Sequence, residues 1–264
     1  MPFLARPGCD LYYETHGTGP GLVFAHGLGG SHLSWWQQVP AFQDRHTCVV
    51  FSHRGFGLSR LDAGRPGPSP EAFRDDLAAL DEHLALPEVS LVAQSMGGWT
   101  CLEYALQRPE RVTALVLACT TGTVRPPPLD PARAAARTQA EAELVARGVH
   151  PACGERMARE QPALHHLYRS VDALSMGLDK AALRAALMAT RTRSPESLAE
   201  LRVPVMCLTG EEDVVIPPES VAALARHIPG ARLVRVPAAG HSVYWERSDV
   251  FNRLLDDFLA PALA

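Results

Sequence analysis

Ala93-Gln94-Ser95-Met96-Gly97 is the stretch on which the reading of this chain turns. An apolar run, Val89 to Ala93, leads into it, and a helix-like segment, Gly98 to Arg108, leads out with Leu102, Ala105 and Leu106 on one face. Strand, sharp turn with a serine, helix is the setting in which a serine hydroxyl is exposed as a nucleophile. The turn strains the serine backbone, so its flanks must be small. Gly97 meets that demand after the serine, and Ala93 meets it before, at the cost of a methyl group. A buried serine in an ordinary turn would give the same five residues, so its partners matter.

A nucleophilic serine needs a base, and the base needs an acid to orient it. Val203-Pro204-Val205-Met206-Cys207-Leu208 reads as a buried strand that runs into Gly210-Glu211-Glu212-Asp213. An acid there sits at the carboxyl end of a strand, where open α/β sheets place their sites. The strand-like Arg232 to Val236 leads into Ala239-Gly240-His241-Ser242. Upstream, Leu22-Val23-Phe24-Ala25 ends in His26-Gly27-Leu28-Gly29-Gly30, a glycine-rich turn whose N–H groups are free to face an oxyanion. It reads equally as a plain tight turn. It is not a nucleotide loop, because neither G-x-G-x-x-G nor G-x-x-x-x-G-K-[ST] is present.

These segments, with His53-Arg54-Gly55-Phe56-Gly57-Leu58-Ser59, resemble the α/β-hydrolase fold superfamily in its capped esterase and lactonase branch. The matching residues are spread over nearly the whole chain. They are specific for fold and triad and weakly specific for substrate. Ala93 departs from the usual first glycine, and Ser52-His53 stand where the family often has an Asp.

The resemblance implies an α/β fold with a mostly parallel central sheet flanked by helices and an inserted helical cap. Ser95, Asp213 and His241 follow the family's chain order of nucleophile, acid and base. The family also implies an oxyanion hole from the N–H groups of Leu28 and Met96. The expected chemistry is hydrolysis of a small to medium carboxylic ester or lactone through an acyl-serine, needing no metal or organic cofactor. Carbon–carbon bond hydrolysis or perhydrolysis on the same triad, and a ligand receptor with little turnover, are the alternatives, since fold does not decide between them. Ser95 argues against dehalogenases and epoxide hydrolases of this fold, which use a carboxylate nucleophile. His26 reads as structural, and Glu211 and Glu212 as solvated. Trp36, Trp99 and Tyr244 are candidates for an apolar substrate wall, with Leu33 beside them.

Composition agrees. A chain of 264 residues with 47% hydrophobic and 20% charged residues has the content of a globular domain with a sizeable core. Net charge −4 and no basic run with interleaved aromatics exclude a general nucleic-acid partner. The expected partner is a small molecule, and the sequence does not set the oligomeric state. Six cysteines without C-x-x-C spacing read as packed thiols. Neither a secretory signal nor a membrane-length apolar run is visible, so a cytoplasmic location with no membrane partner is expected.

Apolar strands alternate with helices up to Thr121, and Thr47 to Ser52, Val89 to Ala93 and Val112 to Ala118 are near-continuous apolar runs, as parallel strands buried on both faces should be. Ser69-Pro70-Glu71 is a helix start, with Phe73, Leu77, Leu80 and Leu84 on one face. From Gly122 the segments Pro131 to Arg147, Gly154 to Glu160, Leu164 to Met176 and Lys180 to Thr192 are helical, Ser194-Pro195-Glu196 starts another helix, and Val203 resumes the sheet. The expected organisation is a core first half at 1–121, a helical cap at 122–201 and a core second half at 202–264. The last helix runs from Ser248 to Leu259, with Phe251, Leu254, Leu255 and Phe258 facing inward.

Overall fold

The computed structural model describes residues 2–64, 67–175 and 177–260. Its strands are β1 (Phe3–Arg6), β2 (Cys9–His16), β3 (Gly21–Ala25), β4 (Thr47–Phe51), β5 (Arg60–Leu61), β6 (Val89–Gln94), β7 (Val112–Ala118), β8 (Val205–Gly210) and β9 (Arg232–Val236). They form one sheet in the order β1-β2-β4-β3-β6-β7-β8-β9, with β5 beside β2. From β4 to β9 every pairing is parallel, and β2 is antiparallel to β1, β4 and β5. The helices are α1 (Val39–Phe42), α2 (Pro70–Leu84), α3 (Gly97–Gln107), α4 (Pro131–Ala146), α5 (Gly154–Glu160), α6 (Pro162–Ala173), α7 (Lys180–Ala189), α8 (Pro218–Arg226), α9 (Val243–Glu246) and α10 (Ser248–Leu259).

The near-continuous apolar runs are central parallel strands, covered on both faces. Alternate residues supply the two sides. Val23, Val49, Leu91, Leu115 and Cys207 face one core with Leu77 of α2, Leu102 of α3 and Leu224 of α8. Phe24, Val50, Val92, Val116 and Leu208 face the other with Trp35, Phe42 of α1 and Phe251 and Leu255 of α10. β9 is the edge strand and is mostly exposed, which accounts for its interleaved arginines. In α10 Phe251 and Leu255 are buried, whereas Leu254 and Phe258 are only partly covered.

Between β7 and β8 the chain leaves the sheet for α4 to α7 and a 3-10 turn at Pro195–Glu200. The two ends of this excursion meet, since Val124 and Arg193 form a parallel bridge. Asp130 caps α4 by accepting from the Ala132 and Arg133 N–H groups, and Asp179 caps α7 at Ala182. α6 starts at Pro162 and ends at Ala173, earlier at both ends than the sequence spacing predicts, and Met176 lies outside the described residues. α7 ends at Ala189, three residues short of the expected Thr192. β8 begins at Val205 instead of Val203, because Pro204 has no N–H for the ladder. Leu183 and Leu187 of α7 pack on Met96, Trp99, Phe56 and Phe73, which docks the block over the carboxyl ends of the strands. Among the described residues no helix is long and apolar enough to cross a membrane.

Candidate active site

Ser95 follows β6 directly and precedes α3 by one residue. Its φ is +50°, a left-handed conformation that non-glycine residues adopt only under constraint. Two hydrogen bonds hold it there: Ser95 N donates to Ala118 O at 3.0 Å, and Gly98 N donates to Ser95 O at 2.9 Å. The turn presses against β3 so closely that a Cβ on Gly97 would lie 2.2 Å from Ala25 O, so the position admits only glycine.

Asp213 lies in the loop after β8, and His241 in the loop after β9. His241 Nδ1 donates to Asp213 Oδ2 at 2.8 Å, with both side chains buried. Asp213 Oδ1 accepts from the N–H groups of Val215 and Ile216 at 2.8 and 2.9 Å. The carboxylate is therefore fixed by backbone at one oxygen and fixes the imidazole with the other. That bond places the proton on Nδ1 and leaves Nε2 as an acceptor, the tautomer a general base requires. The loops interlock: Glu212 N donates to Ala239 O at 2.9 Å, and Gly210 approaches Gly240 O so closely that a Cβ there would lie 2.1 Å away.

Two buried groups support this pair. Glu246 accepts from Gly240 N at 2.8 Å and from Ser242 N at 3.0 Å, bracketing His241 from both sides. Burial pushes its carboxyl up to about 8, against the pull of those two donors. The Cys119 thiol, Asp213 carboxylate and His241 ring nitrogen lie within 4.8 Å of one another. Burial first, and the Asp213 charge second, push that thiol well above its ordinary value, so Cys119 is a neutral packing group behind the acid.

Ser95, Met96, Leu28 and His241 line one cavity of about 780 Å³. Among the described residues Ser95 Oγ makes no hydrogen bond to the His241 ring, a contact that commonly tightens only when substrate binds. The N–H groups of Leu28 and Met96 donate to no protein acceptor among the described residues. Of the proposed wall, Trp99 lines the cavity and the other two aromatics do not. Trp36 is 45% exposed and meets Trp245 edge-on at 6.0 Å, while Tyr244 is buried against Trp35 on the second sheet face. Leu33 is also exposed and outside the cavity. Their nearness to the loops in sequence does not fix the side of the sheet on which they fall.

The remaining histidines near the turn are structural. His26 Nδ1 donates to Gly27 O at 2.7 Å and its Nε2 accepts from His53 N at 2.9 Å, so no ring nitrogen is left for catalysis. His53 is packed among Phe51, Phe56 and Phe73 and pairs with Thr100 Oγ1 at 2.8 Å. Glu211 and Glu212 are exposed, and Glu212 pairs with Arg156 at 2.6 Å. Sequence reasoning missed the charged lining of the cavity, which includes Arg137, Glu141, Asp172, Lys180, Arg184 and Arg191. Their signal is faint, because arginines on an amphipathic helix read as a solvated face.

Comparison with known proteins follows the same outline. Residues 20–167 match a family described as alpha/beta hydrolase fold, and residues 184–262 match one described as TAP-like protein. The chain is 28% identical to a protein of Azorhizobium caulinodans named as a carbamate hydrolase, RutD, with 98% of each chain covered. It is 30% identical to a Mycobacterium tuberculosis protein named as a non-heme bromoperoxidase, BpoC, over 97% of this chain and 99% of that one. Among solved structures, a thermophilic esterase from Thermogutta terrifontis superposes with TM-score 0.77 at 26% identity, covering 99% of this chain and 97% of that one.

Proposed function

The chain belongs to the α/β-hydrolase family, and within it we propose a serine hydrolase that cleaves a small to medium carboxylic ester or lactone through an acyl-Ser95 intermediate. The observation that carries this reading is the pairing of a left-handed serine between strand and helix with a buried, correctly tautomerised His241–Asp213 pair on the same cavity. The likeness to a solved esterase supports it.

In this reading His241 Nε2 takes the Ser95 hydroxyl proton as Oγ attacks the acyl carbonyl. Asp213 holds the imidazole and stabilises the imidazolium that forms. The Leu28 and Met96 N–H groups, free of protein acceptors among the described residues, receive the developing oxyanion, each worth about 2.7–4 kcal/mol by general precedent. His241 then returns the proton to the leaving alkoxide, and water activated by the same ring releases the acid. Carbamate hydrolysis is the second reading, favoured by the likeness to RutD. A carbamate offers the same acyl carbon to the same triad.

The test is covalent. A fluorophosphonate should label the protein once, at Ser95, and Ser95→Ala should abolish both label and turnover of p-nitrophenyl acyl esters while the thermal transition stays in place. A label on another serine, or undiminished turnover, would overturn the assignment. Faster turnover of a p-nitrophenyl carbamate than of any ester would favour the second reading.

A further inference from the structure

The cavity carries charge that the reaction does not use. Four cations and two carboxylates line it: Arg137, Lys180, Arg184 and Arg191 with Glu141 and Asp172. Lys180 Nζ meets Asp172 Oδ1 at 2.6 Å, and Arg184 Nη1 meets Glu141 Oε1 at 3.0 Å. Both carboxylates are thereby matched, and two arginines are left. Arg137 donates through Nη1 to Val215 O at 2.9 Å, in the loop that orients Asp213, and among the described residues its buried Nε finds no acceptor. Arg191 lies over the Trp99 ring, its Cζ 4.7 Å from the centroid, and among the described residues its buried Nε and Nη2 find none either. Neither arginine forms an ion pair among the described residues.

A buried guanidinium without an acceptor is costly, and folded proteins pair such groups almost without exception. Burial, reinforced by the charges of Arg137 and Arg184, lowers Arg191 only to about 10, so it stays charged at neutral pH. Trp99 is the fourth residue after Ser95, and Arg191, lying over its ring, lines the same cavity. Guanidinium presents a planar fork suited to a carboxylate.

We infer that Arg137 and Arg191 form an anion subsite and that the substrate is an ester or lactone bearing a free carboxylate. This rests on the serine-hydrolase reading for the scissile bond, but the subsite itself can be tested without it. The reaction that supplies such a substrate must leave one acid of a diacid free while the other is esterified or closed into a ring. Hydrolysis here then yields a dicarboxylate or a hydroxy acid with a second carboxylate.

The experiment compares p-nitrophenyl hemiglutarate with p-nitrophenyl valerate, its neutral counterpart of equal acyl length. The wild type should favour the charged ester in kcat/KM by roughly 10-fold to 100-fold, the size of a charge-assisted hydrogen-bond pair. Arg191→Met should bring that ratio toward one, chiefly through KM, and Arg191→Lys should keep part of it. Should Arg191→Met fail to fold, Arg137→Met supplies the same comparison. In Ser95→Ala protein, glutarate should raise the thermal transition, its neutral diamide should not, and Arg191→Met in that background should remove the shift. A wild-type ratio at or below one, or a ratio unmoved by the arginine variants, overturns the anion subsite and leaves the hydrolase reading standing. Arginine-dependent glutarate binding with no turnover of either ester sustains the subsite and overturns the hydrolase reading.

Discussion

Ser95 keeps its +50° backbone because β6, α3 and the end of β7 all hold it: the Ala118 carbonyl takes its N–H, and its own carbonyl takes the Gly98 N–H. This is strain maintained by surroundings, and it aims one side chain into the cavity. Asp213 is set the same way, by backbone donors at one oxygen and imidazole at the other. Asp213→Asn keeps the shape but replaces the acceptor with an amide that favours the wrong tautomer. Its kcat should fall on the order of 10⁴-fold with KM little changed, as in other Ser-His-Asp sites. Glu212→Gln removes only an exposed pair with Arg156 and should alter kcat less than a few-fold. Steady-state rates on one p-nitrophenyl ester decide the matter, and an equal loss in both variants would misplace the acid. At this scale the placement of Ser95, Asp213 and His241 in the loops after β6, β8 and β9 was legible, because each of those strands shows in the sequence. Arg137 and Arg191 were not, because composition and periodicity cannot tell a solvated arginine from one turned into a cavity.

The central elements of the sheet were legible because they are covered on both faces. β6, β7 and β8 read as strands because both faces are covered and nearly every residue is apolar. β1, β2 and β5 were not seen: β1 and β5 are short and half-exposed, and all three belong to the antiparallel margin of the sheet. Nor did periodicity show which polar residues tie elements together. Asp81 of α2, 1% exposed at its side chain, accepts from Tyr104 of α3 at 2.5 Å and from Arg111, just before β7, at 2.9 and 3.0 Å. The cluster joins two helices and a strand at the end of the sheet opposite Ser95. Asp81→Ala strands a partly buried guanidinium and should cost about 3 kcal/mol, the low end for broken buried pairs because Arg111 is partly solvated. Urea midpoints should fall with an unchanged slope, while kcat/KM at low temperature stays near wild type. A crippled rate in a protein of normal stability would show that this cluster acts on the site after all.

For the molecule as a whole, the same burial that builds the two cores sets how stability varies with pH. His26 is buried and lowered to about 3, and His53 is lowered well below its ordinary value, both chiefly by burial. The unfolded chain binds protons at these groups below about pH 6.5 while the folded chain refuses them, so their contribution is present above 6.5 and lost as pH falls toward 3. Glu246 acts with the opposite sign. Its carboxyl is raised from 4.5 to about 8, so the folded chain holds a proton that the unfolded chain releases. That contribution is complete below 4.5 and lost as pH rises through 8. Between 4.5 and 6.5 these two histidines, with His32, His46 and His165 also lowered chiefly by burial, oppose one glutamate, and stability rises with pH. Between 6.5 and 8 the glutamate acts alone, and stability falls by up to about 1.4 kcal/mol per pH unit. The maximum should therefore lie near pH 6.5. Glu246→Gln removes the proton linkage, and its amide nitrogen cannot accept one of the two N–H bonds that bracket His241. The variant should be less stable overall, with the decline between pH 6.5 and 8 flattened and the acid limb unchanged, and its kcat should drop because the histidine loop is less firmly held. Urea midpoints at pH 5, 6.5 and 8 for both proteins, with kcat at each pH, read out both effects. An alkaline decline that survives in Glu246→Gln would mean that Glu246 is ionised in the folded chain and that its two backbone donors outweigh its burial.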